Sequence, residues 1–191
     1  LLIVKPHSLK TRFRKLKNTE LGRITPEEYR AAPKYPLRLL LDDIRSSHNV
    51  GSVFRTADAF RIEKIHLCGI TARPPHKDIQ KTALGSTETV EWEYHKDVLA
   101  QVQWLIDQGY TLIAVEQAEG SVGLGDFRPM GDQKYALIFG HEVHGVRQEV
   151  LDRCAAVVEI PQFGTKHSLN ISVAAAVVIW DYVSKVSPAV P

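Results

Sequence analysis

Apolar positions change their period repeatedly after residue 37, and the changes divide the chain into short strands and amphipathic helices. Residues 37–41, 64–68, 90–92, 110–115, 135–139 and 156–160 are short apolar runs bounded by polar or turn-forming residues, the pattern of β-strands. Several are apolar on consecutive positions, as strands are when helices cover both faces of a parallel sheet. Between them, Val50, Val53, Phe54 and Ala57 recur at i, i+3, i+4 and i+7, and Val98, Val102, Leu105 and Ile106 form a comparable stripe. This alternation predicts an α/β fold, a mostly parallel sheet flanked by helices.

The two ends of the chain read differently. Thr25-Pro26-Glu27-Glu28 is a capping pattern with Pro at the first helical position, so a short helix is expected to run to residue 32, where Pro33 and Pro36 stop it. The last helix, expected over 169–185, is apolar nearly all round. Ile171, Ala174, Ala175 and Val178 line one side, while Val173, Val177 and Trp180 line another. One side suits the sheet; the other needs a second partner, either another subunit or more of the chain's own core. The longest irregular stretch, 116–134, exceeds an ordinary connection and is a candidate functional loop.

Composition narrows the class. A chain of 191 residues that is 44% hydrophobic and 24% charged is sized for one globular domain with a sizeable core. The longest apolar stretch, 171–180, falls short of the roughly 20 residues that span a bilayer, and no charged-then-apolar leader opens the sequence. A cytoplasmic protein with no membrane partner is expected. Cys68 and Cys154 match no CxxC pattern, so neither a disulfide framework nor a cysteine zinc site is indicated.

The net charge of +2 is unevenly spread. Residues 1–38 carry ten Lys/Arg against three Glu, about +7, and the remaining 14 basic and 19 acidic side chains leave about −5. Residues 1–36 are expected to form a basic arm with a short helix, and 37–187 the main domain. Lys10, Arg12, Arg14, Lys15 and Lys17 suit contact with a phosphate backbone; a solvated helix face is the alternative.

Several familiar site patterns are missing. Gly120, Gly123 and Gly125 form GxxGxG, not the dinucleotide fingerprint GxGxxG, and there is no GxxxxGK[ST], so nicotinamide and P-loop readings lose their usual support. His141-Glu142-Val143-His144 spaces its histidines three apart rather than the four of HExxH, so no metal is expected there. No GxSxG elbow exists, which argues against a hydrolytic triad.

Three segments remain, each beginning at the C-terminal end of an expected strand, where open α/β sheets build their sites. They are LLLDDIRSSHNVGSVFR (39–55), in which Asn49 is placed to cap the helix that displays Arg55, LIFGHEVHG (137–145), and IPQFGTKHSLNISVAAA (160–176). Together they resemble the three motifs of the SpoU (TrmH-like) branch of the SPOUT RNA methyltransferases. Asn followed six positions later by Arg, FGxE followed by Gly, and IPxxGxxxSLNxSVAAA occur in the family's order, over about residues 37–185. One departure is His141, where many members carry Asn or Ser.

The resemblance implies transfer of a methyl group from S-adenosyl-L-methionine to a ribose 2′-hydroxyl of RNA, tRNA or else rRNA, by a homodimer. It implies an α/β fold with a C-terminal trefoil knot, which general chain topology would not have suggested. It carries Gly140, Ile160 and Leu169 over as the adenosylmethionine cradle, with Asn49, Arg55, Glu142, Ser168 and Asn170 as the catalytic set and no metal. Arg55 would orient ribose and phosphate and stabilise developing alkoxide, since a guanidinium stays protonated. Asn49 would hold Arg55 or the ribose, and Glu142 would pair with a guanidinium while accepting from the cofactor side. Ser168 and Asn170 would cap the last helix and face the pocket. His48, His144 and His167 beside these motifs read as ordinary polar loop residues. A catalytically silent RNA-binding protein on the same fold would have no need to keep Arg55, Glu142 and Ser168 together.

Overall fold

The computed structural model describes residues 13–186. Lys10 and Arg12 of the basic arm lie outside the described residues. The arm's 3-10 turn, Asn18–Glu20, is held by Arg14, which donates to both Glu20 carboxylate oxygens at 3.0 and 2.9 Å.

Helix α1 (Pro26–Ala31) forms as the capping pattern predicts. The Glu28 amide donates to Thr25 Oγ1 at 3.2 Å, and the Thr25 amide donates to Glu28 Oε2 at 2.7 Å. The helix ends one residue early because Ala32 precedes Pro33 and takes an extended conformation. Its Tyr29 is buried in the main core.

Among the described residues the sheet has seven strands. In chain order they are β1 (Tyr35–Asp42), β2 (Ile62–Cys68), β3 (Trp92–His95), β4 (Tyr110–Val115), β5 (Val122–Gly123), β6 (Lys134–Phe139) and β7 (Ala156–Glu159). All pairings are parallel, in the spatial order β3-β2-β1-β6-β4-β7-β5. Burial explains the consecutive apolar runs. Leu39 and Leu41 enter one core while Leu40 between them enters the other, and each such side chain contributes about 1.5–3 kcal/mol by leaving water.

Helices α2 (Ser47–Ala59), α3 (Lys77–Ala83) and α6 (Ile171–Val186) cover the first face. Helices α4 (Val98–Asp107) and α5 (Gln148–Leu151) cover the second. Where α2 meets α3 the backbones come so close that a Cβ on Gly51 would overlap Thr82 Oγ1 and the Ile79 carbonyl. Among the described residues no helix is long and apolar enough to cross a membrane.

Three expectations need correction, and one helix was not expected. The strand expected at 90–92 lies at Trp92–His95, displaced into polar sequence. The stretch 116–134 is not wholly irregular, because Val122–Gly123 adds a short edge strand to β7. Helix α3 carried no clear sequence signal, with only Ile79 and Ala83 buried. The cap of α2 is Ser46, whose Oγ accepts from the Asn49 amide at 3.3 Å; Asn49 therefore sits inside the first turn, with its side chain free for other contacts.

Candidate active site

A cavity of about 450 Å³ opens at the carboxyl ends of β6, β4 and β7, three neighbouring strands. Each strand ends there in a loop that supplies part of the wall. Gly140, His141 and Glu142 follow β6; Glu116 and Gln117 follow β4; Ile160, Ser168, Leu169 and Asn170 lie between β7 and α6. Gly140, Ile160 and Leu169, the residues expected to cradle the cofactor, all line it, as do Glu142, Ser168 and Asn170.

The loop after β6 is a tight turn. The His141 amide donates to the Gly145 carbonyl at 3.1 Å and the Gly145 amide returns the bond at 2.8 Å, with Gly145 in the left-handed region at φ +67°. Gly140 has no room for a side chain, since a Cβ there would overlap the Gly145 carbonyl. His141 Nδ1 accepts from the amides of Val143 at 3.0 Å and His144 at 3.3 Å, which puts the ring proton of the neutral imidazole on Nε2. This lone pair is committed to the turn.

Glu142 is placed differently from the guanidinium partner expected of it. Its carboxylate accepts from the backbone amides of Arg45 at 2.9 Å and Ser46 at 3.0 Å, just ahead of α2. Asn49 Nδ2 adds a longer contact of 3.4 Å. Burial would push the Glu142 carboxyl up, but the amides of Arg45, Ser46 and Glu142 itself, with Asn49, outweigh it and hold the group below its ordinary value. It is an anion at neutral pH and pins the start of α2 to the β6 loop.

Asn49 also reaches the third motif. Its Oδ1 accepts from Asn170 Nδ2 at 3.1 Å, while Asn170 Oδ1 accepts from the amide of Ser172 at 2.9 Å and its hydroxyl at 2.7 Å. Asn170 is thus the cap expected at the start of α6. Ser168 lines the cavity wall. Arg55 does not: it lies exposed on α2, without a hydrogen-bond or ion-pair partner among the described residues.

Sequence reasoning missed the side chains that hold these loops. Glu116 Oε2 accepts from the Val146 amide at 2.9 Å, and Gln117 Nε2 donates to the His167 carbonyl at 2.6 Å, so the end of β4 grips the loops on both sides. Arg147 clamps the end of β1, donating to Asp42 Oδ2 at 2.8 Å and to Asp43 Oδ2 at 2.6 Å. Burial of Asp42 outweighs this arginine and holds its carboxyl above the ordinary range. The available signal was position: Glu116-Gln117 and Asp42-Asp43 are the first polar pairs after, or at the end of, apolar strands.

Known proteins match this architecture. The SpoU rRNA Methylase family matches residues 36–180. A tRNA (guanosine(18)-2′-O)-methyltransferase of Thermus thermophilus is 32% identical over 164 residues, 85% of this chain and 82% of that protein. A 23S rRNA (guanosine-2′-O-)-methyltransferase of Neisseria meningitidis is 30% identical over 145 residues, 75% of this chain and 56% of that protein. The crystal structure of an AdoMet-bound rRNA methyltransferase from Sinorhizobium meliloti shares the fold with a TM-score of 0.75 at 24% identity, over 87% of this chain and 62% of that one. The match spans all three motif segments from β1 to α6, and the chain belongs to the SpoU rRNA methylase family.

Proposed function

We propose that this chain is an RNA ribose 2′-O-methyltransferase that uses S-adenosyl-L-methionine, acts on tRNA, and works as a cytoplasmic homodimer. The observation that carries the reading is the joining of Glu142, Asn49 and Asn170, one from each motif, at the rim of a single cavity. The relatives named for 2′-O-methylation of RNA support it.

The cavity suits the cofactor. Its volume lies within the usual range of about 300–1,000 Å³ for small-molecule sites, and Val115, Phe139, Ile160 and Leu169 give it apolar walls. Glu116, Glu142 and Glu159 add carboxylates that favour a cationic ligand. Gly140, Ile160 and Leu169 would hold it, and it would supply an electrophilic methyl group when bound.

The chain's own residues then have separate tasks. Glu142 holds the amino end of α2 against the β6 loop, and Asn49 ties that end to Asn170 at the start of α6, which fixes the floor on which a ribose is oriented. Ser168 offers a hydroxyl on the wall. Arg55, exposed and unpaired within the described residues, is available to grip ribose and phosphate and to stabilise negative charge developing on the ribose oxygen. The segment between β7 and α6, gripped by Gln117 at His167 and by Asn49 at Asn170, supports a C-terminal trefoil knot. Exposed Val173, Val177 and Trp180 on α6 support a dimer through that helix.

Transfer of labelled methyl from adenosylmethionine into fractionated RNA, followed by mapping of the modified nucleotide, tests the reading. Label on a ribose of tRNA is expected. Label confined to rRNA would change the substrate, and absence of label in any fraction would overturn the enzyme.

A further inference from the structure

A second group of chemically capable side chains lies at the other edge of the sheet, on the face covered by α4. His66 on β2 pairs with Glu93 on β3 across the parallel ladder, and His95, two residues on, projects from the same face as Glu93. His66 Nδ1 lies 3.4 Å from His95 Nε2 and 3.8 Å from Glu93 Oε2, and His95 Nε2 lies 3.4 Å from that same oxygen. Donor atoms each about 2.0–2.1 Å from a tetrahedral zinc ion are separated by about 3.3–3.5 Å, so two edges of this triangle match a zinc site and the third is slightly long.

Hydrogen bonding alone accounts for the trio less well. All three separations exceed the ordinary range of about 2.7–3.2 Å, and the three atoms converge on one point, where only His66 Nδ1 has a further contact of ordinary length, with Gln101. One neighbour acts as an outer partner of a ligand set would. Lys64 Nζ sits 2.6 Å from Glu93 Oε1 and leaves Oε2 turned to the imidazoles. The buried Gln101 amide lies 3.1 Å from His66 Nδ1, and with its oxygen and nitrogen exchanged its carbonyl would stand as a fourth donor beside the three. Arg38 and Lys64 are matched by Glu63, Glu91 and Glu93, which leaves the surroundings one negative charge in excess.

We infer that His66, Glu93 and His95 form a binding site for a divalent transition-metal ion of the zinc type, which fastens edge strand β3 to β2. Two imidazoles and a carboxylate are a donor set that zinc accepts. None of the three lines the cavity, so the site is separate from methyl transfer and its ion is structural.

The full-length chain, stripped with a chelator, is titrated with Zn²⁺ by calorimetry and with Co²⁺ by visible absorption. The expected result is one ion per chain and a tetrahedral-type cobalt spectrum. His95→Gln and Glu93→Gln, both at partly exposed positions that spare the core, should each weaken Zn²⁺ binding by about 100-fold, the upper end of what even outer partners of a metal site command. His144→Ala should leave binding unchanged. Failure of the wild-type chain to take up a stoichiometric ion, or Zn²⁺ binding that survives His95→Gln, would overturn the assignment.

Discussion

The Asn170 amide donates to Asn49 Oδ1 at 3.1 Å, joining side chains 121 positions apart in the chain. Since Asn49 also reaches Glu142, these residues act as one unit, and their removal should not be additive. Asn49→Ala and Asn170→Ala are each expected to lower methyl transfer at least about tenfold, or about 1.4 kcal/mol, with a coupling of about 0.5–3 kcal/mol in the double variant. A double-mutant cycle on turnover with saturating cofactor measures it, and simple additivity would separate the two residues.

The α/β architecture was legible because β1, β2, β4 and β6 are buried on both faces and carry apolar residues at consecutive positions. Edge strand β3 was expected too early in the chain, because Glu93 and His95 give it polar positions that apolar patterning cannot register. The motif residues were legible one by one, but their contacts were not. The expected cap Asn49 yields that place to Ser46, and the expected guanidinium partner Glu142 binds backbone amides instead. Such contacts depend on which loops the strand order brings together, and the spacing of residues along the chain is silent on that.

Glu142 should make stability depend on acid. Its native carboxyl binds a proton more weakly than the same group in the unfolded chain, so its contribution is complete above the ordinary Glu value of about 4.3 and is lost as pH falls through the lower native value. Glu142→Gln should therefore lower the melting temperature most above about pH 5, with the gap to wild type closing as the pH is taken down toward about 3. A gap independent of pH would show that the charge is not what holds the amino end of α2.

The exposed stripe on α6 should be covered in solution. Val173 is 49% exposed, Val177 38% and Trp180 60%, and Phe60 packs against Trp180 with ring centroids 5.9 Å apart. Light scattering should report twice the 21.4 kDa chain mass, and Trp180→Glu should shift the population to monomer without unfolding it, because the side chain lies outside the core. A wild-type monomer would remove the dimer from the proposal.

The basic arm should act through phosphate contact. Removal of residues 1–24 leaves the Thr25 cap and buried Tyr29 in place, so the fold should survive while RNA affinity and its salt dependence fall. Lys15→Glu with Lys17→Glu should make the plot of log affinity against log salt shallower by about one per lost contact, with cofactor affinity unchanged. An unchanged slope in filter-binding measurements would assign the arm another task.

Under the proposed function, Arg55 should be the decisive cation. It stands exposed on α2 six residues beyond Asn49, committed to no partner among the described residues. Lysine in its place keeps the charge but loses the planar fork that grips ribose and phosphate together. Arg55→Lys should therefore spare adenosylmethionine binding, because Arg55 is not part of the cavity wall, and should leave the melting temperature nearly unchanged. If the guanidinium acts chiefly in the transition state, the defect appears in kcat at saturating RNA, by roughly 10², or about 2.7 kcal/mol. A rise in KM with normal kcat would make Arg55 an RNA-binding residue only, and near-normal turnover would move the catalytic burden to Asn49, Ser168 and Asn170.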